Sequence, residues 1–145
     1  MKVKDAMTTN VVLARPDHTI CDAARLMSQC DTGVLPVGEN DKLVGMITDR
    51  DIAVRAVAEN KPPETPVREV MSKEVLYCFE DETVEHVAQN MGDQQVRRLP
   101  VLNREKRLVG IISLGDLAAI TGKKTSGEAI AGISRPGGAH DQTLH

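Results

Sequence analysis

Apolar positions along this chain follow two alternating patterns, and the alternation occurs twice. Ile20, Ala23, Ala24 and Met27 stand at i, i+3, i+4, i+7, the stripe of an amphipathic helix, and Val84, Val87, Ala88 and Met91 repeat it 64 residues on. Short apolar runs between these stripes predict strands. In order, the pattern predicts a helical turn at 3–7, a strand over Val11–Ala14 and a helix from an N-cap at Thr19 to about Gln29. Strands Val34–Val37 and Lys42–Ile47 follow around a hairpin-like loop, then a helix over Asp49–Glu59. The second half repeats the plan: a strand near Val75–Tyr77, a helix over Thr83–Met91, strands Arg98–Leu102 and Leu108–Ser113, and a helix over Gly115–Thr121. The tail differs, being rich in Gly, Ser and Lys; a short helix over Gly127–Ile133, docked through Ile130 and Ile133, is expected in an otherwise mobile segment.

Exact landmarks repeat as well. Val3-Lys4-Asp5-Ala6-Met7 matches Val67-Arg68-Glu69-Val70-Met71, and Leu35-Pro36-Val37 matches Leu99-Pro100-Val101, both 64 residues on. One structural unit is therefore used twice. The most telling stretch is Leu43-Val44-Gly45-Met46-Ile47-Thr48-Asp49-Arg50-Asp51, matched by Leu108-Val109-Gly110-Ile111-Ile112-Ser113-Leu114-Gly115-Asp116. Each is a buried-strand run closed by a hydroxyl residue, with Asp three positions later where a helix opens. A carboxylate there can accept two hydrogen bonds from a ribose, and a hydroxyl beside free helix amides can face a phosphate. The same residues also suit plain N-caps and first-turn acids.

The order of these landmarks resembles a tandem pair of CBS domains, the Bateman module, over roughly residues 1–121, and most of all the small stand-alone bacterial pairs. The resemblance implies an α/β fold of two pseudo-symmetric β-α-β-β-α repeats packed into one compact module: 1–60 as repeat 1, 61–66 as linker, 67–121 as repeat 2 and 122–145 as tail. It implies two clefts that take AMP, ADP, ATP or a related adenosyl ligand, with no cofactor. Carried over by position, Thr48 and Asp51 serve the first cleft, and Ser113 and Asp116 the second. Adenine would rest near Val75 and Leu76 in the first and near Val11 and Val12 in the second; as a sequence, these four positions suit plain strand core equally well. Basic residues before the Pro of the Leu-Pro-Val strand are the family's usual phosphate contacts. Arg97 and Arg98 hold that position in repeat 2, whereas repeat 1 has Gly33 and Val34. With Arg50, they would give the first cleft its cations, leaving the second without a clear one. Arg97 and Arg98 suit solvated surface charge too.

Composition narrows the partners. With 145 residues, 41% hydrophobic and 27% charged, the chain has an ordinary globular balance. One Tyr, one Phe and no Trp leave an aliphatic core and no stacking platform for single strands, while a net charge of −3 removes the basic footprint of a duplex binder. Nucleic acid and membrane are not expected as partners, and with no leader-like apolar segment at Met1 a cytoplasmic protein is expected. Cys21 and Cys30 lie roughly 13 Å apart along one helix, too far for a disulfide.

Other candidate chemistry fails. Gly122-Lys123-Lys124-Thr125 lacks the upstream Gly of a phosphate loop, since position 117 is Leu. His18, Cys21 and Asp22 share a helix face but fit a capped surface helix better than a metal site. No nucleophile–base signature appears, so no enzyme is expected. The function expected is a regulatory adenine-nucleotide-binding module, acting as a homodimer or on a separate, unidentified protein. The helix faces around Ile52, Ala56, Leu117 and Ile120 are the expected dimer contact. The rival is a constitutive dimerisation scaffold with vestigial clefts.

Overall fold

The computed structural model describes residues 1–120, 127 and 130–133. Their contacts sort into two units, and neither coincides with one sequence repeat. Residues 11–75 with 106–108 make the repeat-1 unit; residues 1–10, 76–105 and those from Val109 onward make the repeat-2 unit. Each repeat's opening segment is thus packed with the other repeat's body.

In the repeat-1 unit, α1 (Ile20–Cys30) buries Ile20, Ala23 and Met27 of the sequence stripe. Thr19 caps it reciprocally: its Oγ1 accepts from the Asp22 amide at 3.0 Å, and Asp22 Oδ2 accepts from the Thr19 amide at 3.1 Å. That cap holds the Asp22 carboxyl below the usual carboxylate range. Two more first-turn amides donate to the proline-rich linker, Ile20 N to Thr65 O at 2.9 Å and Cys21 N to Pro63 O at 3.2 Å. The linker is therefore docked on the helix end it serves, with Thr65 buried. Strands β1 (Val34–Glu39) and β2 (Lys42–Thr48) pair antiparallel from Val34 opposite Thr48, with an irregularity at Val37/Gly38. The chain then enters α2 (Asp49–Asp51), which continues as a π-helix over Ile52–Val57. The aliphatic core is completed by Val67, Val70 and Met71, delivered by the 3₁₀ turn Val67–Glu69.

The repeat-2 unit has a three-stranded sheet in the order β3 (Cys78–Phe79), β4 (Arg98–Leu102), β5 (Leu108–Ser113), with β3 and β4 parallel. Helices α3 (Val84–Gln94) and α4 (Leu114–Ile120) cover it, and Val3 from the turn Val3–Asp5 lies in the core beside Cys78, Val84 and Leu117. Val3 N donates to Glu82 O at 2.9 Å and Val84 N to Met1 O at 3.1 Å, so the first residues serve α3 as the linker serves α1. On the surface, Arg104 holds Asp81 through two hydrogen bonds of 2.7 and 2.8 Å and lies 4.1 Å over the Phe79 ring. This contact keeps the Asp81 carboxyl below its usual range.

Four expectations need correction. The strand over Val11–Ala14 shrinks to one parallel bridge, Ala14 to Val37, and Pro16, which has no N–H, supplies no rung beyond it. The strand near Val75–Tyr77 starts later, at Cys78, and Leu76 and Tyr77 are exposed. Ala56 and Leu117 are fully buried in the two cores, so they cannot form a dimer face, although Ile120 is exposed; Val54 and Val57, 49% and 66% exposed, are the large apolar side chains that the π-helix leaves to solvent. Last, Gly127 and residues 130–133 are helical as expected, but Ile130 is exposed and Gly132 makes the dock. A Cβ on Gly132 would stand 2.5 Å from Gly92 O, so the two backbones touch, and Gln95 Nε2 donates to Gly132 O at 3.2 Å. The rest of the expected mobile tail lies outside the described residues.

Candidate ligand-binding site

The two Gly-to-Asp stretches fold alike. Thr48 ends β2 in extended conformation and caps α2: its Oγ1 accepts from the Asp51 amide at 3.0 Å while Asp51 Oδ2 accepts from the Thr48 amide at 3.0 Å. Ser113 and Asp116 do the same at 3.1 and 2.9 Å. The helix-cap role is thus real in both copies. It consumes one carboxylate oxygen and the hydroxyl's acceptor side only. Among the described residues, neither Asp51 Oδ1 nor Asp116 Oδ1 has a hydrogen-bond partner, and both side chains are only half-buried. Each turn therefore keeps one oxygen and one hydroxyl proton for a ligand.

A second strand of chain runs beside each turn. Met46 and Ser72 exchange both backbone hydrogen bonds, at 2.8 and 2.9 Å, an antiparallel bridge that pins Ser72 beside β2 two residues before Thr48. Thr8 and Ile111 do likewise at 2.9 Å each, an antiparallel bridge that pins Thr8 beside β5 two residues before Ser113. Only glycine permits this approach. A Cβ at Gly45 would stand 2.7 Å from Met71 Sδ and 2.8 Å from Ser72 O, and one at Gly110 would stand 2.6 Å from Met7 Sδ and 2.8 Å from Thr8 O.

Thr48, Arg50, Asp51, Val75, Val11 and Val12 belong to the repeat-1 unit, and Leu76, Arg97, Arg98, Ser113 and Asp116 to the repeat-2 unit. Val12 and Leu76 are exposed and Val11 and Val75 half-buried, so none of the four is plain strand core. Arg50 is exposed, its amide bonded to Asp49 Oδ1 at 2.8 Å.

The two copies diverge in charge at one matched contact. In repeat 1, Asp49 N donates to Gly33 O at 2.9 Å; in repeat 2, Leu114 N donates to Arg97 O at 2.8 Å. The backbone geometry is the same, but a carboxylate beside a glycine has been exchanged for a leucine beside an arginine. Asp49 Oδ2 stands 2.8 Å from where a Gly33 Cβ would be, and Asp31 and Asp49 both line the shallow groove there. That groove repels phosphate. Sequence reading noted the missing cation at Gly33 but not the carboxylate over it, because only the fold brings Asp49 back across the hairpin to residue 33.

These features are those of paired CBS repeats, and the family's sequence profile matches the CBS domain twice, at residues 3–57 and 67–121. The chain belongs to the CBS-domain family. It is 44% identical over 133 residues to the CBS domain-containing protein YhcV of Bacillus subtilis, covering 91% of this chain and 94% of that one. Among solved structures it resembles the CBS domain pair of protein MJ0100 in complex with 5′-methylthioadenosine and S-adenosyl-L-methionine (TM-score 0.72, 32% identity, 83% of this chain and 94% of that one). It also resembles CBSX2 in complex with AMP (TM-score 0.72, 25% identity, 81% and 93%).

Proposed function

We propose that this protein is a regulatory module that binds an adenosyl ligand, AMP, ADP, ATP or an S-adenosyl compound, at its two capped turns. The observation that carries the reading is the doubled turn itself, in which Asp51 and Asp116 each retain a free carboxylate oxygen beside a hydroxyl donor. An adenosyl ligand supplies the matching ribose diol. Support comes from the two structural relatives that hold AMP or S-adenosyl compounds. Val75 and Leu76, and Val11 and Val12, are the apolar positions we assign to adenine.

Arg97, Arg98 and Arg50 are our candidates for phosphate contacts, and Thr48 and Asp51, with Ser113 and Asp116, for ribose contacts. The carboxylate of Asp49 beside Gly33 disfavours phosphate at the matched position of repeat 1, which supports unequal sites. The module acts in the cytoplasm as a homodimer or on a separate protein, with Val54 and Val57 as the contact face.

Thermal unfolding against a panel of AMP, ADP, ATP, S-adenosylmethionine and adenosine tests this. Ligand at about a hundredfold over its Kd adds about 2.7 kcal/mol. For a chain of this size that raises Tm by roughly 5–11 °C. No shift with any of them at millimolar concentration returns the protein to the scaffold reading.

A further inference from the structure

One open groove lies apart from the capped turns, wholly inside the repeat-1 unit. It has a volume of about 720 Å³ and is lined by Arg55, Lys61, Arg68, Glu69, Met71, Ser72, Lys73 and Glu74. Four cations thus face one concavity, against two carboxylates, on a chain whose net charge is −3. They come from four separate places: Arg55 from the π-helix, Lys61 from the linker, Arg68 from the 3₁₀ turn and Lys73 from the segment beside β2.

Two observations make this more than scattered surface charge. Arg55 Nη1 donates to Met71 O at 3.3 Å, which holds the guanidinium against the groove wall and leaves its other donors available. In addition, among the described residues none of the four cations has a carboxylate within ion-pair distance, although Glu69 and Glu74 line the same groove. Cations gathered without counter-ions repel one another, and a bound polyanion relieves that repulsion.

We propose that this groove binds an oligophosphate chain, either free or as the tail of a nucleotide. Successive phosphoryl groups can reach cations at several points along the groove, which one monovalent anion cannot do. The four cations exclude a metal ion. The proposal does not depend on the adenosyl reading, because neither Thr48 nor Asp51 lines the groove.

Calorimetry of the full chain with inorganic tripolyphosphate at low salt tests it, since such contacts are screened as ionic strength rises. The expected result is saturable binding that weakens at least tenfold in Arg68→Ala/Lys73→Ala. A Lys61→Ala/Lys73→Ala variant serves as the second arm should Arg68 be needed for folding, which Tm reports. ATP separates the sources: a parallel loss of ATP affinity in the variants identifies a nucleotide tail, and an ATP affinity that stays put identifies a free chain. Adenosine affinity reports on the capped turns alone and should not move. No saturable heat from tripolyphosphate, or variants that bind it as well as the parent, overturns the proposal.

Discussion

A single carboxylate in each repeat is asked to do two things, and substitutions can pull them apart. Asp51 accepts from the Thr48 amide with one oxygen and offers the other outward. Asp51→Ala loses both roles and should lower stability by about 1 kcal/mol. It should also weaken adenosyl binding by about 1.5–3 kcal/mol. Asp51→Asn can keep its amide oxygen on the cap, so urea denaturation should find it near the parent while calorimetry finds ligand affinity reduced. A variant that destabilises without touching affinity would mean that the cap is the carboxylate's whole role. Cys78 offers a separate test. Burial in the repeat-2 core, with Glu82 adding to it, pushes its thiol up to about 12, and its Sγ lies 3.8 Å from Pro100 O. The unfolded chain therefore releases this proton first. Stability from this group is intact below the unfolded value near 9 and is lost as pH rises towards 12, by about 1.4 kcal/mol per pH unit. Cys78→Ala should flatten that alkaline fall in a denaturation series from pH 8 to 11, and an unchanged slope would remove Cys78 as its cause.

At the level of elements, most of the fold was legible because each repeat declares its punctuation. Thr19 and Asp22 announce α1 as a capping box, and Leu99-Pro100-Val101 and Leu108 to Ser113 gave the bounds of β4 and β5 as observed. The errors share a cause. Val11–Ala14 and Val75–Tyr77 carry the β-prone residues of a strand, but pairing reaches only Ala14 in the first and begins at Cys78, after the second, and pairing partners are a tertiary fact. The π-helical turn over Ile52–Val57 likewise has no local signature; Lys61 N reaches Ala56 O at 3.0 Å as the chain turns into the linker. The site was half legible. Thr48, Asp51, Ser113 and Asp116 stand in a spacing that any reader of the repeat finds, whereas the carboxylate of Asp49 over Gly33 and the cations around Arg55 are separated in sequence and assembled only by folding.

The whole molecule is built by exchange, which makes its energetics non-local. Val3 is fully buried with the second repeat and Val67 with the first. Val3→Ala removes two buried methyl groups and should cost about 1–3 kcal/mol. Hydrogen exchange should then rise in α3, not in α1, and Val67→Ala should show the reverse. Faster exchange confined to the mutated residue's own repeat would mean that the opening segments do not hold the bodies they pack on. Association belongs to this scale too. Val54 and Val57 are exposed on one helix. A homodimer formed through them should sediment as such at tens of micromolar, given a Kd about micromolar. Val54→Asp/Val57→Asp should sediment as a monomer, with Tm lowered by the loss of association, and a dimer that survives both aspartates would place the contact elsewhere.

The exchanged opening segments also set an order on synthesis. The chain leaves the ribosome N-terminus first, yet Met1 to Thr8 have no place to dock until Glu82 and Ile111, whose backbones they bond, have been made. The repeat-1 unit is different: nearly all of it is the continuous run from Val11 to Val75. It can close while the rest is still being translated. Residues 1–8 are thus made before the repeat-1 unit but settle after it, and Val3, buried in the finished fold, waits in solvent for its core. A ribosome stalled just beyond Val75 would display a nearly complete repeat-1 unit, with residues 1–8 still lacking the backbones they bond.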